Sequence, residues 1–166
     1  MDAANAAASS ASAQRPQREI TLTRIFDAPR ELVFAAWTDP KHMQAWWGPH
    51  RFTNPVCEMD FRVGGKWHIV MRGPNGMDYP CGGVYREIVP PERLVFTNIA
   101  LDDKGNSIID GLTVVTFEDQ NGKTKLTLNT RGIAMVDYAA QYLQGMEAGW
   151  TQSLERLAEL LEKESK

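Results

Sequence analysis

The residues that could carry reaction chemistry are few. The histidines are His42, His50 and His68, the side chains best suited to acid–base work near neutral pH. His42 and His50 flank a Trp46-Trp-Gly-Pro49 segment, and His68 shares the parity of Lys66 and Arg72 in a period-two stretch, which turns it towards water. No His, Cys, Asp or Glu set has metal-ligand spacing, so neither a metal nor a cofactor is expected. Cys57 and Cys81 match no metal pattern and no disulfide framework, and read as free, inert thiols in strands. There is no Gly-x-Ser-x-Gly elbow, and Ser153 has no base beside it. Acid–base chemistry would fall to Asp78, Tyr79, Glu118 or Glu147, each of which also reads as a turn, surface or structural residue. The sequence therefore names no catalytic residue.

Apolar recognition is the chemistry that remains. Trp46, Trp47, Met59, Trp67, Met71, Tyr79, Phe96, Met146, Gly149 and Trp150 are the candidate lining of a pocket for a small hydrophobic or amphipathic molecule. Bulky, soft side chains of this kind either fill a core or wall a ligand site. Trp46 and Trp47 are neighbours and cannot both face inward from one helix face, so one of them is expected at a pocket mouth. Gly145 and Gly149 lie four apart in a helical pattern, where each costs roughly 1 kcal/mol against Ala. They either leave space for a guest or let a helix approach a sheet.

The elements that must position these residues follow from periodicity. Residues 19–26 alternate as a strand. Asp27, followed by Pro29, signals the cap of one short helix, and Asp39-Pro40 that of a second over residues 41–46. Gly48-Pro49 stops it. Period-two strands are expected over 53–63, 66–72, 78–89, 93–101, 112–118 and 123–130, joined by tight turns into an antiparallel meander. Pro55 marks an edge or a bulge, and Gly82-Gly83 a bulge or a close backbone approach. The run 135–166 is the one long helical pattern, with Met146, Trp150, Leu154, Leu157 and Leu161 on one face. The fold class is α+β: a curved antiparallel sheet wrapped around a long C-terminal helix, with two short helices after the first strand.

Composition narrows the classes of partner. A net charge of -3 and a pI of about 5.6 argue against nucleic acid, and against a DNA-reading role for the two short helices. No run of about 18 apolar residues exists to span a membrane. Residues 1–18 are Ala/Ser-rich, lack aromatics and carry no signal-peptide pattern, so they are expected to be a disordered tail. Residues 19–166 are expected to form one domain, and free thiols suit a cytoplasmic location.

Several segments resemble a known family. They are Phe26-Asp-Ala-Pro-Arg-Glu-Leu-Val-Phe-Ala-Ala-Trp-Thr-Asp-Pro40, Trp46-Trp-Gly-Pro49, Asp60-Phe-Arg-Val-Gly-Gly-Lys-Trp67, Met71-Arg-Gly-Pro74, the stretch 83–97, Thr113-Val-Val-Thr-Phe117 and the stretch 145–161. In this order they resemble the activator of heat-shock protein 90 ATPase homologue (AHSA-like) family of the SRPBCC, or START-like, superfamily, over about residues 20–163. The resemblance implies the helix-grip fold seen in lipid-transfer START domains and the birch pollen allergen. It implies a pocket more strongly than a reaction.

Three functions stay open. The first is binding of a small hydrophobic or amphipathic ligand between sheet and C-terminal helix, with no assigned reaction. The second is an enzyme of cyclase, hydratase or hydrolase type in the same pocket, which needs a buried acid or base. The third is a stress or protein-interaction module, with a chaperone partner of the heat-shock protein 90 type. A homodimer is compatible with all three.

Overall fold

The computed structural model describes residues 15–164. Most of the expected tail, residues 1–14, lies outside the described residues. The chain runs β1 (Gln17–Phe26), α1 (Arg30–Ala35), α2 (Pro40–Trp46), β2 (Thr53–Met59), β3 (Lys66–Arg72), β4 (Asp78–Val89), β5 (Arg93–Thr97), β6 (Ile99–Leu101), β7 (Ser107–Gln120) and β8 (Lys123–Ala134). A 3-10 turn (Asp137–Ala139), α3 (Ala140–Gln144) and α4 (Met146–Glu164) follow. All strand pairings are antiparallel, in the order β1-β8-β7-β5-β4-β3-β2, with β6 bridging β4 and β7. This is the expected helix-grip fold. The sheet is a meander whose first strand returns to close beside the last.

Alternation makes the strands. In β8, Thr124, Leu126, Leu128, Thr130 and Gly132 point inward and are buried, with half-buried or exposed residues between them. Burial of each apolar side chain contributes on the order of 2 kcal/mol. Helix α4 presents Trp150, Leu154, Leu157 and Leu161, at spacings of three and four, to the core. Its first turn carries Glu147 and its last Lys163, the polarity that suits a helix dipole.

The structure departs from the sequence reading in several places. Helix α1 is capped by Pro29, not Asp27; the Pro29 carbonyl accepts from Leu32 and Val33 N–H, and no side chain caps the end. For α2 the expected cap holds, with Asp39 accepting from His42 N–H at 3.0 Å. Strand β2 lies at the sheet edge with a register shift between Thr53 and Val56, where Pro55 sits, but it ends at Met59, short of residue 63. The expected strand 93–101 breaks at Asn98, whose N–H bonds Gly111, so that β6 can pair with both β4 and β7. Strands β7 and β8 run past their expected limits through the cross-strand pair Gly111 and Gly132. The C-terminal run is not one helix. It breaks at Gly145, which caps α3, and α4 begins afterwards. Arg18 of β1, within the stretch read as tail, holds this joint by donating to the carbonyls of Leu143 and Gln144 at 3.0 and 2.9 Å.

Candidate functional site

Between the inner sheet face and the α3–α4 joint lies a cavity of about 210 Å³. Trp47, Met71, Cys81, Ile109, Leu143, Met146 and Trp150 wall it, with Asn98, Thr130 and Ser153 as polar members. A wider recess of about 630 Å³ adjoins it, sharing Pro49, Met71, Cys81, Ala100 and Tyr142, and is bordered by Phe52, Met77, Tyr79, Tyr138, Asp102 and Asp103. Together they form an inner chamber and an outer mouth.

Glycines account for the space in different ways. A Cβ built on Gly149 would meet a single neighbour, Pro49 Cγ at 4.0 Å, so this face of α4 looks onto open volume. A Cβ on Gly132 would meet Leu143 Cδ2 at 3.1 Å and Ile109 Cγ2 at 3.2 Å, so glycine there lets α3 settle on the sheet. Gly145 serves as a joint between helices.

The loop after α2 forms the third wall and is fastened to α4. Gly48 N–H donates to Ser153 Oγ at 3.0 Å, and Ser153 Oγ donates to the Gly149 carbonyl at 3.0 Å. Arg156 Nη1 reaches the carbonyls of Trp47, Gly48 and Pro49 at 2.9–3.0 Å, and Nη2 that of Ala45 at 3.2 Å. A cation over the carbonyl end of α2 is favourable. Burial lowers the Arg156 pKa, with Glu159 opposing. Gly48 has φ +93°, a left-handed conformation that suits glycine. The flanking histidines brace the same junction: His42 contacts Asp39 at 2.5 Å and Glu164 at 2.8 Å, and His50 contacts Glu155 at 2.7 Å.

Of the ten candidate lining residues, Trp47, Met71, Met146, Gly149 and Trp150 meet at the inner chamber. Tyr79 lies in the outer mouth. Met59, Trp67 and Phe96 pack with Met43, Ile69, Tyr85 and Leu94 around a residual gap of only about 10 Å³, and so fill core. Trp46 is fully buried, 4.6 Å from the Trp37 ring, with its Nε1 donating to the Ala36 carbonyl. Trp46 and Trp47 do not share one helix face, because α2 ends between them, and both are buried, with Trp47 in the cavity wall. Trp47 has ψ 136°, an extended conformation that swings its ring inward against Trp150 at 5.2 Å.

Among the described residues no carboxylate side chain lines the inner chamber. Burial pushes the Cys81 thiol up to about 12, so it stays protonated and unreactive at neutral pH. Arg131 is exposed between buried Thr130 and Gly132, so strand alternation turns its side chain to the outer face. Among the proposed acid–base residues, Asp78 pairs with Arg72 at 2.7 Å at the surface, and Glu118 and Glu147 are exposed. Among the described residues no three His, Cys, Asp or Glu side chains could hold a metal ion.

Sequence reasoning missed Asn98, Thr130, Ile109, Tyr142 and Leu143 as wall residues, and the clamp by Ser153 and Arg156.

The same fold recurs in solved structures. A crystal structure of a Chromobacterium violaceum protein is similar at a TM-score of 0.75 and 33% identity, over 86% of this chain and 95% of that one. The AHSA1 protein from Silicibacter pomeroyi is similar at 0.72 and 27%, over 89% and 99%. A solution structure of a protein from Arthrobacter aurescens is similar at 0.75 and 25%, over 87% and 86%. No curated protein matches the chain. The model of the family described as activator of Hsp90 ATPase homolog 1-like protein matches residues 27–162, and the chain belongs to that family.

Proposed function

We propose that this family member binds a small hydrophobic or amphipathic molecule in the chamber between sheet and α4, as a cytoplasmic carrier or sensor with no reaction of its own. The observation that supports the reading is the space at Gly149: it lines a partly open, mostly apolar cavity, and a side chain there would meet only Pro49, at 4.0 Å. Apolar chambers with a few polar groups are the usual form of small-molecule sites. An enzymatic reading would need an acid or base able to titrate near neutrality inside the chamber. The high Cys81 pKa and the lack of an inner carboxylate favour binding instead.

The test is native mass spectrometry with medium-chain fatty acids and naphthalene derivatives, together with quenching of Trp47 and Trp150 fluorescence. A one-to-one complex is expected for the native chain. Gly149→Leu should fold normally and lose uptake, because its side chain would occupy the guest volume. Equal uptake by both chains, or none by either, would overturn the reading.

A further inference from the structure

The chamber has a polar floor, and that floor fixes what kind of guest fits. Phe96, Thr113 and Thr130 form one inward row across β5, β7 and β8, since Phe96 pairs with Thr113 and Thr113 with Thr130. One step along the strands, Asn98 hydrogen-bonds Gly111, which pairs with Gly132. Both glycines are closely approached, Gly132 by Leu143 and Ile109 and Gly111 by the Arg131 and Asn98 carbonyls, so the polar part of the floor is Thr130 and Asn98.

Thr113 and Thr130 are buried, at 0% and 2% exposure, and their hydroxyls are 2.8 Å apart. Two hydroxyls have two hydrogens, and this contact uses one. No other described residue accepts the second, so one hydroxyl hydrogen is left over. If Thr113 held it, the hydrogen would be stranded in packed core, a costly outcome. Thr130 lines the chamber and Thr113 does not. The lower-energy arrangement has Thr113 donating to Thr130, and Thr130 donating into the cavity. Asn98 is half-buried in the same wall, and no described residue hydrogen-bonds its side-chain amide, which adds two donors and one acceptor. Among the described residues the only charged one in the lining is Arg131, whose side chain the strand alternation turns to the outer face.

Resting on the binding function proposed above, we infer that the guest is a neutral apolar molecule tipped with a carbonyl-type acceptor oxygen, which enters oxygen-first and is held by Thr130 Oγ and Asn98 Nδ2. Its apolar body lies against Met71, Met146, Trp47 and Trp150. A carboxylate would arrive unpaired at a floor without a cation, which disfavours it.

Two probes of nearly equal shape test this: 2-acetonaphthalene and 2-ethylnaphthalene, titrated by tryptophan quenching and calorimetry. The native chain should bind the ketone about tenfold more tightly than the hydrocarbon, the usual worth of one to two satisfied hydrogen bonds. Thr130→Val and Asn98→Leu should each shrink that preference while leaving hydrocarbon affinity within about twofold. Should Thr130→Val unfold the chain, the double change Thr113→Val with Thr130→Val removes both hydroxyls together. Equal affinity of the native chain for both probes, or a preference that survives both substitutions, overturns the polar floor and leaves the binding function standing. Failure of both probes to bind the native chain overturns the two together.

Discussion

The space gripped by the sheet has two halves, and they differ in the opposite sense from what their residues suggest. One half, around Trp37, Trp46, Trp67 and Phe96, holds most of the large aromatic side chains and is almost solid, with about 10 Å³ left over. The other half, around Gly132, Gly149, Thr130 and the α3–α4 joint, sets Trp47, Trp150 and Tyr142 among glycine, threonine, methionine and leucine, and holds about 210 Å³. Large rings are good at filling volume. Edge-to-face pairs such as Trp37–Trp46 at 4.6 Å and Phe34–Phe117 at 5.1 Å close the space between them. Empty volume arises where a helix is held off the sheet and its facing residue has no side chain.

The strongest test of this contrast is truncation in the filled half. Trp46→Ala should destabilise the chain by about 3–5 kcal/mol, because a fully buried ring leaves a hole its neighbours cannot close. Urea denaturation measures it, and a loss under 1 kcal/mol would mean that this half is not solid. Next comes the fastening of the cavity wall. Arg156→Met keeps much of the aliphatic stem but drops four carbonyl contacts, and should cost about 2 kcal/mol. Hydrogen exchange should show residues 46–50 losing protection before the sheet does. In the open half the sign reverses: Gly149→Ala should raise stability by up to about 1 kcal/mol, read as a higher Tm, since alanine is the better helix former and has room.

The smallest effect concerns pH. The hydrogen bond to Asp39 raises the His42 pKa above its ordinary 6.5, with the Asp39 and Glu164 charges adding to it and burial opposing. Burial raises the Asp39 pKa, but the hydrogen bonds and charge of His42, with the Lys41 N–H, together lower it overall. A raised histidine stabilises fully below its unfolded value and loses that contribution as pH rises through the folded one. The lowered carboxylate loses its contribution as pH falls through its own folded value. The difference in stability between the native chain and His42→Gln should therefore be greatest between about pH 5 and 6.5 and fade by pH 8. Its size should stay below about 1 kcal/mol, because the pair is partly exposed to solvent. Denaturation midpoints across pH check it, and a flat difference would remove the charged brace.

Much of the fold was legible because period two and turn residues are local signals. Strands β3 and β4 fall on the expected residues, and Asp39-Pro40 marks the start of α2. What was hidden depends on partners far away in sequence. Glycine reads as a strand end, yet Gly111 and Gly132 sit opposite each other within the ladder, Gly132 because Leu143 of α3 packs over it and Gly111 because the Asn98 and Arg131 carbonyls come close. Asn98 carries no breaker signal, and its strand breaks to serve β4 and β7 at once. For the site, Gly149, Trp150, Met146, Trp47 and Met71 were within reach as large or missing side chains near α4. The polar floor was not, since a threonine pair matters only once two strands are known to be in register.

Arg156 has a mechanical consequence. By gathering the carbonyls of Trp47, Gly48 and Pro49 it rivets one wall of the chamber to α4, while Met71, Cys81 and Thr130 belong to the sheet. The cavity thus has two jaws. Because Arg156 ties loop and helix together, a load placed on Trp47 is shared with α4 and is not borne by the loop alone.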